Sequence, residues 1–225
     1  DFQGFNGIAL LIIISYLTNF FFPHNFLHNS IVVLFGLSIF LFDIIKNYKK
    51  KIKENKLIIL IFSIIFIGLL MYKNHDDFYY YHFPYTLILT NFEKIYGLGN
   101  LNHGFRTPSS IFYLNSLFYL PLIKYFLMNS GAIYIFGFAN LFLIRTIKKF
   151  LKNKDFNFIF YLSLLSFVYI STAFYRIAEH GTDKSALILI FIMAIYYLQS
   201  INLPNDYKNI EIINSYFSKL IILFF

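Results

Sequence analysis

Two stretches of this chain set residues capable of acid–base chemistry into an otherwise apolar sequence. The first is Asn74-His75-Asp76-Asp77, which runs into the aromatic segment Phe78-Tyr79-Tyr80-Tyr81-His82-Phe83-Pro84-Tyr85. Adjacent carboxylates repel, and this raises the pKa of one of them unless a cation compensates. A single positioned carboxylate is enough to take a proton from a hydroxyl, which leaves its neighbour to hold an acceptor or a metal ion. The plainer reading is that Asp76 and Asp77 sit in water or cap the following helix. The residues alone leave these two readings evenly balanced. His75, Asp76, Asp77 and His82 carry enough donor atoms for a divalent ion. The seven-residue separation of the two histidines is not a usual ligand spacing, so no metal site is assigned.

The second stretch, residues 176–184, holds Arg176, Glu179, His180, Asp183 and Lys184. Arg176, His180 or Lys184 could neutralise a phosphate leaving group. Asp183 precedes an apolar run and could equally cap its helix. Between the two lies Gly97-Leu98-Gly99-Asn100-Leu101-Asn102-His103-Gly104-Phe105-Arg106. It lacks the Gly-Lys-Ser/Thr ending and the preceding strand of a nucleotide loop. Its glycines are expected to permit turns, and His103 and Arg106 are candidates for contact with a lipid-linked phosphate. Ser109-Ser110 reads as the N-cap of the next helix. His24 and His28, four apart with no carboxylate nearby, are expected to lie at an interface.

What must position these groups is a set of membrane helices. Of the 225 residues, 58% are hydrophobic and 13% charged, against about 25% charged in a soluble domain. The net charge of +8 does not indicate nucleic acid, because the basic residues gather in short segments between apolar runs. With no Cys there is neither a disulfide framework nor a thiolate metal site, and with no Trp an aromatic belt must come from Tyr. The fold class is all-α: a polytopic helical membrane protein of about seven spans. The predicted spans are residues 5–22, 30–45, 57–72, 131–144, 156–175 and 185–201, with a last one opening at Ile212.

Lys46, Lys49, Lys50, Lys51, Lys53 and Lys56 form one basic cluster, and Arg145, Lys148, Lys149, Lys152 and Lys154 a second. The positive-inside rule puts both in the cytoplasm. An odd number of crossings must then separate them from residue 74. Residues 111–127, which contain Pro121 and Lys124, are therefore expected to form a helix lying at the outer surface. Residues 73–128 become an external loop on the same face as 176–184. Residues 1–225 read as one transmembrane helical domain. Its start at Asp1 and its end inside an apolar run point to a piece of a longer chain. The first apolar run lacks the basic n-region and cleavage site of a signal peptide.

An acidic pair just after a membrane helix, an aromatic segment and surface helices, in that order, resemble the GT-C class of integral membrane glycosyltransferases. Residues 75–85 and 175–183 are also similar to a bacterial group of polytopic membrane proteins related to that class. The resemblance covers roughly residues 57–201. It implies transfer of a sugar from a polyprenyl-phosphate donor to an acceptor, here unidentified, on the external or periplasmic face of the bacterial plasma membrane. It further implies that Asp76 or Asp77 is the base that activates the acceptor hydroxyl, with Asp76 favoured as the first acid of the pair. Some members use a divalent ion and others none. A transporter or flippase would place ionisable groups at the membrane midplane in broken helices. The one clear mid-span ionisable group is Lys219. A membrane subunit without chemistry would tolerate loss of the acidic pair.

Overall fold

A computed structural model describes residues 2–46, 48–67, 77–172 and 182–201. These residues form eight α-helices and no β-strand. Helix α6 (Ser130–Asn153) is the centre on which the others pack, and it contacts α1 (Gln3–Asn19), α3 (Tyr48–Phe66), α5 (Ser110–Ser116), α7 (Phe158–Thr172) and α8 (Thr182–Ile201). Its sequence explains this role. Gly131, Ala132, Gly137 and Ala139 are all buried, and small residues let neighbouring helices approach closely. At Gly137 the approach is to the ring of Phe62 on α3, and a Cβ would collide with it. Polar side chains add cross-links: Asn115 Oδ1 accepts from the Gly131 N–H at 2.8 Å, and Gln199 Nε2 donates to Thr146 Oγ1 at 3.4 Å.

Helix α2 (Phe26–Lys46) is different. Asn29 is its one buried residue, and Leu34, Phe35, Phe40 and Phe42 stand exposed around it. Among the described residues three helical segments are long and apolar enough to cross a membrane: Phe26–Lys46, Tyr125–Asn153 and Asp183–Ile201. Asn55–Phe66 and Phe158–Thr172 are apolar but shorter. The expected last span from Ile212 lies outside the described residues.

The helix directions sort the two kinds of loop to opposite ends of the bundle. Phe2, at the start of α1, packs on Phe142 and Tyr196, so α1 begins beside the later turns of α6 and α8. Phe62 and Phe66, late in α3, meet Tyr134 early in α6. The end of α1 reaches the other end, where the Lys94 N–H donates to the Asn19 carbonyl at 2.7 Å. The basic ends of α2 and α6 therefore lie at one end, and the segments holding Asp77 and Asp183 at the other.

Three expectations are corrected. The first basic cluster is largely helix rather than loop, because α2 ends at Lys46 and α3 starts at Tyr48. Lys and Glu are good helix formers, and the run sustains a helix without an apolar face. Residues 111–127 do not form one surface helix. All seven residues of α5 are buried among α1, α4 (Phe83–Asn91) and α6, and the helix stops well short of Pro121, which cannot donate to a helix. Polar groups along α5 are bonded inside: Ser15 Oγ donates to the Tyr113 carbonyl at 2.7 Å, and Asn115 Oδ1 holds the Gly131 N–H. Finally, His24 is fully buried rather than interfacial.

His24 joins three parts of the fold. Its Nε2 lies 3.1 Å from the Ser15 carbonyl, which can only accept, so Nε2 carries the proton. Nδ1 lies 2.6 Å from Ser116 Oγ, whose hydroxyl also has the Tyr113 carbonyl within reach at 2.7 Å. The His24 backbone N–H donates to the Leu89 carbonyl of α4 at 2.8 Å, and His28 stacks on the ring at 4.8 Å. Burial first, then the nearby His28, lowers the His24 pKa from 6.5 to about 3 against the opposing pull of Ser15. Folding thus favours neutral imidazole. That contribution is complete above pH 6.5 and is lost as pH falls toward 3. Thermal melts in detergent are expected to lose about 1.4 kcal/mol per pH unit below 6.5 from this group. His24→Gln, less stable at neutral pH, is expected to have a flatter acid limb. An acid limb identical to wild type would remove His24 from the account.

Candidate active site

Asp77 stands at the entrance to one π-helical turn, Phe78–His82, which continues into α4 with Pro84 in its first turn. Single π turns recur at functional sites. The Asp77 side chain does not cap this turn. Instead Asp77 Oδ2 faces Tyr81 Oη at 3.5 Å, at the long limit for a hydrogen bond. The Tyr81 phenol is held above its ordinary pKa of 10.0, by burial first, then by the negative charges of Asp77 and Asp183 and the bond to Asp77. Asp183 belongs to the first turn of α8, where the helix dipole favours a carboxylate. Asp77 therefore acts on the Tyr81 hydroxyl at bonding distance, and Asp183, 106 positions later in the chain, only through its charge.

The Tyr81 ring also fixes the next piece of the site. It lies against Gly104, where a Cβ would enter the ring. Asn102 clamps the same turn, with Nδ2 donating to the Tyr80 carbonyl at 3.2 Å and Oδ1 accepting from the Gly104 N–H at 2.8 Å. Gly104→Val is expected to push the ring off the turn, with a loss of about 1–3 kcal/mol in thermal or denaturant stability. Gly104→Val melting like wild type would mean that the ring does not rest there.

Beyond this turn opens a cleft of about 430 Å³, lined by residues 94–100 together with Tyr85, Phe105, Arg106 and Pro108. Gly97 turns the chain at φ 84°, a conformation that glycine adopts without strain. Two cations face the cleft. Lys94 Nζ donates to Tyr113 Oη at 2.9 Å, and Tyr113 Oη lies 3.1 Å from Tyr85 Oη. Burial, then the bond to Tyr113, holds the Tyr85 phenol well above its ordinary range. Arg106 Nε donates to the Gly99 carbonyl at 3.3 Å, which leaves the ends of its guanidinium for a ligand or solvent. Among the described residues neither cation is paired with a carboxylate. This combination suits an anion: positive charge held in place, phenol hydroxyls behind it, and room for a small polar group.

The expected site residues are distributed unevenly. Asp77 stands against Tyr81, Asp183 contributes its charge there from the first turn of α8, and Arg106 lines the cleft. His103 is exposed on the turn beside the cleft and is not part of its lining. His82 faces inward, against Tyr81 and Phe112 at ring distances of 4.3 and 5.0 Å. Lys184 is half-buried in the first turn of α8. His75, Asp76, Arg176, Glu179 and His180 lie outside the described residues. Among the described residues no group of three or more His, Asp or Glu side chains comes together.

A family model whose description is Domain of unknown function (DUF8201) matches residues 2–225. The chain belongs to the DUF8201 family. No curated protein and no solved structure matches it significantly. The DUF8201 match takes in Asp77, the cleft turn and Asp183 alike, so the candidate site lies within one family domain.

Two residues of the site escape sequence reasoning: Lys94 and Tyr113. A lone lysine beside the glycine-rich stretch was the available sign for Lys94. Nothing local distinguishes Tyr113 among the 19 tyrosines, whereas Tyr81 stands four residues after Asp77 in the aromatic segment. The role of Tyr113 comes from Lys94, 19 positions away, and the support of the Tyr81 ring from Gly104, 23 positions away.

Proposed function

We propose that this protein is an integral membrane glycosyltransferase of about seven spans. It moves a sugar from a polyprenyl-phosphate donor to an acceptor hydroxyl at the external face of the bacterial plasma membrane. The carrying observation is the contact of Asp77 with Tyr81, whose ring rests on Gly104 in the same turn that carries Phe105 and Arg106 into the wall of the cleft. A base and a leaving-group site are the two things this reaction needs side by side.

In this reading Asp77, or Asp76 before it, takes the proton of the acceptor hydroxyl. The oxygen forms a bond to the anomeric carbon as the bond from that carbon to the phosphate oxygen breaks. The electron pair leaves with polyprenyl phosphate, and a single displacement of this kind inverts the anomeric centre. Lys94 and Arg106 offset the charge gathering on the phosphate. Tyr81 bonds Asp77 and keeps it oriented. Sorting of the basic ends and the acidic segments to opposite ends of the bundle supports an external site, since basic loops stay in the cytoplasm.

The test is a transfer assay with labelled polyprenyl-phosphate sugar in membranes containing the full-length protein. Transfer by wild type, lost in Asp76→Asn or Asp77→Asn, is the expected result. If both variants transfer as wild type does, the catalytic reading is wrong.

A further inference from the structure

The turn between α5 and α6 presents apolar side chains in a way that the protein interior does not explain. Leu122 is 100% exposed and Phe126 85% exposed. Leu122 has φ 60° and Lys124 φ 51°, values that crowd the Cβ of any residue but glycine. The turn is closed by an isolated bridge between Leu120 and Lys124, with the Lys124 N–H donating to the Leu120 carbonyl at 2.7 Å. The backbone thus accepts a disfavoured shape and turns a leucine wholly outward.

Stacked rings fix where this tip lies. Tyr125 stacks on Tyr119 at 5.0 Å, and Tyr119 stacks on Phe26 at 4.2 Å. Phe26 is the first residue of α2, whose 21 residues span about 31 Å, close to the thickness of a hydrocarbon core. The tip therefore sits level with one end of a helix whose sides are apolar and exposed almost throughout. Tyr119 and Tyr125 present rings with polar ends, as interfacial tyrosines do. Lys124 has the length to reach headgroup phosphates from a half-immersed position.

We propose that residues 120–126 form a wedge that dips into the outer leaflet, with Leu122 and Phe126 among the acyl chains and Lys124 at the headgroups. The inference rests on α2 being a membrane span. The wedge also has a route to the candidate site, because Tyr125 packs edge-on against Phe83 at 5.7 Å and Phe83 stacks on Phe78, next to Asp77. Seating the wedge in lipid would hold the acid segment at the height of a lipid-linked substrate.

The test uses the full chain in vesicles of phosphatidylcholine and phosphatidylglycerol. Single cysteines at Leu122, Phe126, Leu101 and Ile39 each carry an environment-sensitive dye, and quenching by shallow and deep nitroxide lipids is compared with quenching by aqueous iodide. Dyes at 122 and 126 are expected to respond to the shallow lipid quencher and to be several-fold less sensitive to iodide than the dye at 101, while the dye at 39 responds to the deep quencher. Iodide sensitivity at 122 and 126 equal to that at 101, with 39 still deep, overturns the wedge alone. Protection from both quenchers at 122 and 126 would mean a protein partner or second copy, and also overturns it. A dye at 39 that the deep quencher does not reach overturns the reading of α2 as a span.

Discussion

Asp77→Asn is expected to lower the turnover of sugar transfer by about 10²- to 10⁴-fold, the range a positioned general base contributes. The substitution keeps the size of the side chain and an oxygen that can still accept from Tyr81, so the π turn and α4 should fold as before. Donor binding should be nearly unchanged, since Asp77 is not among the residues that line the cleft. The expected kinetic signature is a fall in kcat with the KM for donor preserved, which marks an interaction made mainly in the transition state. Asp76→Asn belongs in the same experiment, because the resemblance to GT-C enzymes favours that residue. The variant with the larger loss identifies the base.

The second large effect concerns the cations. Lys94→Gln combined with Arg106→Gln is expected to weaken donor binding by about 10²-fold or more, since hydrogen bonds to a charged group contribute about 1.5–3 kcal/mol each. The cleft is open, so the wild-type interaction should weaken as salt is raised, and the double variant should lose most of that salt dependence. Tyr113→Phe offers a milder check. It keeps the buried ring but removes the oxygen to which Lys94 Nζ donates, and so loosens the ammonium without removing it. Binding measured with a labelled donor in detergent separates these outcomes. Unchanged affinity in the double variant would take the phosphate out of this cleft.

What the sequence made legible follows physical range. The centre of α6 can be read from its apolar run, interrupted by Asn140 alone, and Ser109 can be read as a cap because its side chain acts on Ile111, two residues away. Gly97 can be read as a turn for a reason contained in the residue itself. The burial of His24 cannot be read locally, since its partner Ser116 is 92 positions away. A histidine in a turn with no neighbouring carboxylate looks interfacial until α5 packs against it. The same gap hid α5: Pro121 and Lys124 suggested a surface helix, whereas Asn115 and Ser116 are bonded within the core to partners distant in sequence. For the site, the acids and Arg106 were visible as rare charges in an apolar chain, whereas Lys94 gained its role only through Tyr113. The placement of Asp77 and Asp183 at one end of the bundle was legible only in outline, from the two basic clusters that fix the opposite end.

The central claim is that the two acidic segments and the cationic cleft serve one displacement at a lipid-linked phosphate. The most direct measurement is release of polyprenyl phosphate from a labelled polyprenyl-phosphate sugar, followed in vesicles that contain either wild type or Asp77→Asn, with and without added acceptor. The account predicts acceptor-dependent release by wild type, loss of that release in Asp77→Asn if Asp77 rather than Asp76 is the base, and comparable donor binding by both. Donor bound equally by the two proteins but released by neither, or released alike by wild type, Asp76→Asn and Asp77→Asn, would contradict it.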